Sequence, residues 1–258
     1  MPQYNTTAIV LRRTYYGETD NILTLYSKER GLISAIAKGA RKAISRLSGA
    51  TDPLACSRLA LASGRGLEVV VQAEIVDSFP GLHASVERLA YAQYFAELLS
   101  VFSAEDDPHP ALFTLIVRAL RLLEKAPDLA SIARWYEINL LGELGYAPSL
   151  RDCGVCGRAL PGDWPDGALY GLSAANGTGL CPDHAHPKGH PDHSALSLDA
   201  LAYLQSVEDA PEQASAVAAL RAPTEKASSQ ARAALRRLIR FHADRDLKSV
   251  EFLDGLTH

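Results

Sequence analysis

The sequence predicts a multidomain α+β protein: a small N-terminal β-barrel, a helical domain in two parts, and a metal-held module set between them. Three observations carry that expectation. Residues 1–80 hold five short runs of strand-forming residues separated by turn signals. From residue 86 the apolar residues recur at helical 3–4 spacing. Residues 151–194 then concentrate 8 of the 18 glycines, 5 of the 14 prolines and three of the four cysteines.

The strand runs come first. Thr7–Tyr16, Asn21–Ser27, Leu32–Lys38 and Leu54–Ala62 are rich in β-branched and aromatic residues. Arg65–Val76 alternates, placing Leu67, Val69, Val71, Ala73 and Ile75 on one face and Glu68, Gln72 and Glu74 on the other. Gly17-Glu18-Thr19-Asp20, Arg30-Gly31, the stretch around Gly39–Gly49 and Ser63–Gly66 separate the runs. Five short strands favour closure, because a closed barrel exposes no edge. An OB-fold is the expected barrel; an SH3-like barrel is the alternative that the pattern alone leaves open.

Three apolar sets follow. They are Val86, Leu89, Ala90, Tyr94, Leu98 and Val101; Leu112, Leu115, Ile116, Ala119, Leu122 and Leu123; and Ile132, Trp135, Ile138, Leu141 and Leu144. Pro108, Pro110 and Pro127 separate them, and Gly145 with Pro148 ends the third. Helix returns over Leu196–Val207 and Thr224–Leu247. The expected domains are 1–80 (barrel), 81–150 (helical, first part), 151–194 (metal module) and 195–258 (helical, C-terminal part).

Residues 151–194 have too few large apolar side chains to order themselves. Their cysteines explain how they fold. Cys153, Cys156, Cys181 and His184 form C-x2-C-x24-C-x2-H. Two residues between ligands let both reach one ion, with Gly154 or Gly157 permitting the turn. Two such knuckles complete the tetrahedral donor set that Zn²⁺ prefers. Four protein ligands leave no open position, so one structural Zn²⁺ is expected, supplying on the order of 10 kcal/mol of folding free energy. The competing readings are a relic site and a redox pair, and His186, His190 and His193 compete with His184 as fourth ligand. The stretch His184–His193 is read as a polar loop, with a second metal site as the alternative. Cys56, in the fourth strand run, is expected to be an inert core thiol.

The formal charge of −4 argues against indiscriminate nucleic-acid binding. Residues 1–80 nevertheless carry 10 Lys+Arg against 7 Asp+Glu, and Lys28–Arg46 holds six cations against Glu29 alone. Lys38-Gly39-Ala40-Arg41-Lys42 with Arg46 has the composition of a phosphate-contacting loop, the alternative being a solvated basic loop. Arg12, Arg13, Tyr15 and Tyr16 add cations and stackable rings, which is what an OB barrel uses to hold single strands. On the last helix Arg232, Arg236 and Arg240 repeat beside Arg237; a solvated face is expected, a second nucleic-acid surface being the alternative. There is no Walker A, H-E-x-x-H or G-x-S-x-G motif, and no catalytic residue is assigned. No apolar run reaches the ~18–20 residues that span a bilayer, and the first residues lack a signal peptide's pattern. A cytoplasmic protein with no membrane partner is expected.

The sequence resembles the RecO family of DNA repair and recombination mediators along nearly its whole length. The resemblance is carried by Ala8-Ile9-Val10-Leu11-Arg12 with Tyr16-Gly17-Glu18-Thr19-Asp20, and by Ala37-Lys38-Gly39-Ala40-Arg41-Lys42. It is carried further by Leu140–Pro148 running into Cys153-Gly154-Val155-Cys156, and by Leu235-Arg236-Arg237-Leu238-Ile239. It implies an N-terminal OB-fold, a helical domain and an embedded zinc module. It also implies binding of single- and double-stranded DNA and annealing of complementary strands. With RecR, family members assist RecA loading onto DNA coated by single-strand-binding protein, so nucleoid association during repair is expected. Here His184 stands where many members carry a fourth cysteine. The acidic tail of a single-strand-binding protein needs an apolar groove rimmed by cations. Arg118, Arg121 and Lys125 share a helical face that Leu115 and Leu122 flank, and tail docking is expected there, pairing with Glu124 or Asp128 being the alternative. The alternative function is a metal-dependent nuclease or hydrolase using the His-rich stretch.

Overall fold

The computed structural model describes residues 2–64, 66–186, 190–210, 214–243 and 246–256. They form two compact units, Met1–Lys125 with Lys248–His258 and Ala126–Leu247. The segment 81–150 thus contributes to both.

The first unit is built on β1 (Gln3–Tyr16), β2 (Asp20–Ser27), β3 (Gly31–Ala37), β4 (Cys56–Ala62) and β5 (Glu68–Asp77). They close as β1-β2-β3-β5-β4, with β4 returning to β1. The β3–β5 pair is parallel and the others antiparallel. This is an OB-like barrel, and each strand lies within a few residues of its expected run. Its interior is Ala8, Val10, Leu23, Leu25, Ile33, Ala35, Ala37, Leu59, Leu61 and Val70. Each large side chain there contributes roughly 1.5–3 kcal/mol on burial. Alanines on β3 fit the narrow bore.

One expectation is overturned on β5. Leu67, Val69 and Val71 were expected on one face with Ala73 and Ile75; Ala73 does pack against the barrel interior, but Val70 is buried there in place of Val71, which is 43% exposed. The cause is the first of two bulges. The register against β4 runs Leu61↔Val70 but Ala60↔Gln72, and Ser57↔Ile75 but Cys56↔Asp77. An extra residue at Val71 and another at Val76 each switch the phase of the alternation.

A short 3-10 turn (Pro80–Ala84) leads to α1 (Val86–Val101), which Ser85 caps by accepting from the Arg88 N–H. Pro110 opens α2 (Pro110–Lys125), its missing N–H costing nothing there. The unit is completed by α7 (Lys248–Leu256), which packs on α1.

The second unit opens with α3 (Leu129–Glu143), capped by Asp128 and buried nearly all round. Gly145, at φ +81°, terminates it as expected, with Tyr146 N–H donating back to Leu141 O at 2.7 Å. Next come β6 (Tyr170–Ser173), β7 (Thr178–Leu180) and β8 (His193–Leu196), ordered β7-β6-β8. They were not expected. Tyr170, Leu172, Leu180 and Leu160 are buried, so the Gly/Pro-rich segment has a small core besides its candidate metal site. The helices α4 (Leu198–Glu208), α5 (Ala214–Ala219) and α6 (Glu225–Ala243) follow, with α6 packed on α3, α4 and β8. No helix among the described residues is long and apolar enough to cross a membrane.

Candidate nucleic-acid interface and metal centre

The basic loop after β3 is tied to the β1–β2 turn. Arg41 N–H donates to Thr19 O at 2.9 Å, and its guanidinium reaches Gly17 O at 3.4 Å. Gly39, at φ +65°, turns the chain, and its N–H donates to Asp20 Oδ1 at 2.8 Å. That bond first, against burial, holds the Asp20 carboxyl below the usual range, with help from Thr19, Lys38 and Lys42. The loop is thus compact and fixed, and its cations project from it. Lys38, Arg41, Lys42 and Arg46 are exposed, and Lys38, Lys42 and Arg46 form no ion pair among the described residues.

The Arg41 guanidinium lies over the Tyr15 ring, 4.5 Å from its centroid, and Arg13 lies 5.7 Å from the same ring. Tyr15 and Tyr16 are 64% and 56% exposed. The structure therefore brings Arg13, Arg41 and Tyr15 together. It does not bring all six expected cations to one group. Alternation along β1 turns Arg12 to the side opposite Arg13. Arg13 is also ion-paired with Asp52, so part of its charge is spent within the protein. Arg30 is held by Glu68 and Asp106 and lies over the Tyr4 ring, away from the loop.

The expected tail groove on α2 is not formed. Leu115 and Leu122 are packed into the core, because the apolar stripe they belong to is the one that buries the helix. Arg118 is half-buried; Arg121 and Lys125 are exposed. Arg121 pairs with Asp77 at 3.2 Å, and Glu124 instead accepts from Gly81 N–H at 2.9 Å. On α6, Arg237 donates to His193 O and Ser194 Oγ, and Arg240 pairs with Asp246 at 3.0 Å. Arg232 and Arg236 are half-buried, so the four arginines do not form one freely solvated face.

The metal-ligand spacing is realised in space. Cys153, Cys156, Cys181 and His184 offer ligand atoms that all lie within 4.8 Å of one another. The Sγ atoms of Cys156 and Cys181 are 3.8 Å apart. His184 Nδ1 lies 3.6 Å from Cys153 Sγ and 3.2 Å from Cys181 Sγ. Zn–S bonds of about 2.3 Å and a Zn–N bond of about 2.0–2.1 Å in a tetrahedron require roughly 3.8 Å for S···S and 3.5 Å for S···N. The donor set and its dimensions fit such an ion. Both glycines matter. Gly157 takes φ +70° in the first knuckle, while a Cβ at Gly154 would run into the Thr178 side chain. Burial opposes ionisation of the Cys153 thiol, but backbone N–H donors of Cys181, Cys156 and Val155 outweigh it and bring it down to about 6. Burial and the neighbouring sulfurs push Cys181 up to about 11. Cys56 is buried, and burial raises its thiol to about 11, as an inert core thiol requires.

A family model described as recombination protein O N terminal matches residues 1–79, and one described as recombination protein O C terminal matches residues 83–251. The chain belongs to the RecO family. A Pelotomaculum thermopropionicum protein named DNA repair protein RecO is 38% identical over 98% of this chain and 94% of that relative. A Heliobacterium modesticaldum RecO is 41% identical over 72% of the chain and 68% of its own length. A Roseiflexus RecO is 34% identical over 98% and 86%. The RecO family boundary at residues 79–83 falls between β5 and α1, so the barrel coincides with the N-terminal family segment.

Proposed function

We propose that this RecO-family chain is a DNA-binding recombination mediator rather than an enzyme. It binds single- and double-stranded DNA, anneals complementary strands and, with RecR, assists RecA loading onto DNA coated by single-strand-binding protein. The observation that carries the reading is the surface where the loop after β3 meets the end of β1. It presents Arg41 over the exposed ring of Tyr15, on a loop whose Lys38, Lys42 and Arg46 are also exposed. Phosphates fit the cations, and unstacked bases fit the rings. Annealing needs charge neutralised on two strands and a surface that holds them together; it needs neither nucleotide nor catalytic dyad. Contacts of this kind read backbone, so binding is expected to be independent of sequence.

Cys153, Cys156, Cys181 and His184 would hold one structural Zn²⁺. The ion would tie the two knuckles together, with no open position for chemistry. The expected location is the cytoplasm, on the nucleoid during repair.

Fluorescence anisotropy against single- and double-stranded oligonucleotides across a range of salt tests the central claim. In Lys38→Glu with Lys42→Glu, affinity should fall for all sequences alike. Each lost contact should reduce the salt slope by about 0.7 on single strands and about 0.9 on duplex. An unchanged slope and affinity would place the DNA surface elsewhere.

A further inference from the structure

We propose that His190, Asp192 and His193 form a second metal site, separate from the Cys3His group, for a divalent transition-metal ion of the Zn²⁺ or Co²⁺ kind. The three ligand atoms lie within 4.8 Å of one another. The chain brings them together by one tight turn. His193 N–H donates to His190 O at 3.0 Å, so the two ends of the turn meet and their imidazoles stack at 4.5 Å. Asp192 lies inside the turn. Its carboxylate accepts from Ser173 Oγ on β6 at 2.9 Å, and its backbone carbonyl accepts from Ala174 N–H at 3.0 Å. Arg237 on α6 holds the His193 carbonyl from the other side. The Asp192 carboxylate is thus oriented by a side chain of a neighbouring strand, as metal ligands usually are, and Arg237 fixes the backbone of His193.

The His193 ring is the second observation. Its side chain is only 12% exposed. Nδ1 is buried with no hydrogen-bond partner among the described residues, and Nε2 lies 3.8 Å from Asp192 Oδ2, beyond hydrogen-bond reach. The nitrogen nearest the carboxylate is Nε2, so it is Nε2 that faces the ligand set. A metal ion would join it to the carboxylate where no hydrogen bond does. Two imidazoles and one carboxylate select a borderline late first-row ion over Mg²⁺ or Ca²⁺, which ask for oxygen alone. Metal–ligand bonds of about 2.0–2.2 Å bring ligand atoms to roughly 3.3–3.5 Å. The ring planes lie nearly parallel, 15° apart, so the exposed His190 must swing to close the set. Three protein ligands leave positions for water or an anionic oxygen, which the closed Cys3His group does not.

Cobalt titration of protein already loaded with one equivalent of zinc tests the site. The zinc occupies the thiolates, and Co²⁺ alone is the probe. A second equivalent should bind, with visible bands of nitrogen and oxygen coordination and no thiolate-to-cobalt charge transfer. Asp192→Asn and His193→Ala should each weaken it at least about tenfold. Ser173→Ala, which removes the bond that orients the Asp192 carboxylate and leaves the ligands themselves in place, should weaken it by roughly 10-fold as well. Zinc content of one per chain and an unchanged circular dichroism spectrum certify each variant. Should His193→Ala not fold, the exposed His190→Ala and Ser173→Ala carry the test. No second equivalent, a second equivalent indifferent to all these variants, or a charge-transfer band showing cobalt on the thiolates would each overturn the proposal.

Discussion

Arg134 and Glu137 stand one turn apart on α3, with side chains 3% and 0% exposed, joined by a two-pronged ion pair. In the sequence nothing distinguishes Arg134 from an exposed cation. Burial changes its meaning. Two opposite charges out of water offset each other's desolvation, and removing one leaves the other's buried charge uncompensated by it. Glu137→Gln should therefore destabilise the second unit by about 3–5 kcal/mol, whereas replacing both residues by apolar ones of similar volume should cost far less. Urea unfolding of the two variants measures the difference. A Glu137→Gln loss under about 1 kcal/mol, the value of an exposed pair, would refute the account. His242 shows the same dependence on surroundings. Its ring stacks on Tyr146 with centroids 4.2 Å apart, and burial holds its pKa below the usual value. The native state thus carries fewer protons there than the unfolded chain. Stability from this group is present above about pH 6.5 and drains away as pH falls through the depressed folded value. In His242→Gln the loss of stability between about pH 7 and 5 should be shallower than in the unmodified protein. An identical slope would assign the acid sensitivity to other groups.

At the scale of elements, alternation and periodicity located nearly everything, and what they missed has identifiable causes. All five barrel strands and the three central helices were legible, the strands chiefly from β-branched and aromatic runs between turn signals and the helices from apolar 3–4 spacing. The facing of β5 was not. A bulge adds a residue without changing composition, so Val71 and Val76 look like any strand residues until the partner strand is known. Strands β6 to β8 escaped because three or four residues are too few to display a period. Leu115 and Leu122 were misjudged as groove walls because a stripe shows only that a face is apolar, not what covers it. Helix α7 was missed for a different reason: its cap comes from a distant helix. Glu97, on α1, accepts from Lys248 N–H at 3.0 Å and Ser249 N–H at 2.8 Å. Those are orphan donors of α7, and their acceptor lies 151 positions away in sequence. Glu97→Ala should cost about 0.5–2 kcal/mol, as loss of a cap does, and should speed amide exchange in α7 first. Unaltered exchange there would mean that packing alone holds the helix.

For the whole molecule, the cysteine and histidine spacing was the most legible feature, since a four-ligand set constrains sequence more tightly than a strand does. Its energetic role was overstated. The module also buries Tyr170, Leu172, Leu180 and Leu160, and Gln205 ties Leu150 O and Leu160 O with two bonds of 2.8 Å. Metal removal should therefore loosen the knuckles around Cys153 and Cys181 while β6, β8 and the barrel keep their protection. Hydrogen exchange with and without chelator reads this directly, and collapse of protection across β6 and β8 would restore the metal as the module's sole support. The proposed DNA surface was half legible. Its loop was visible as composition, but the ion pairs that withdraw Arg13 and Arg30 from it appear only when Asp52, Glu68 and Asp106 are placed in space.

The first unit is interrupted: Met1–Lys125 is completed by Lys248–His258, with all of Ala126–Leu247 between them. Synthesis runs from the N-terminus at roughly 5–20 residues per second, so on the order of 10 s separates the emergence of α2 from that of α7. Throughout that time the barrel and its helices exist without their final piece, and the Glu97 carboxylate waits without Lys248 and Ser249. The half of the protein that is made first is the half that is finished last.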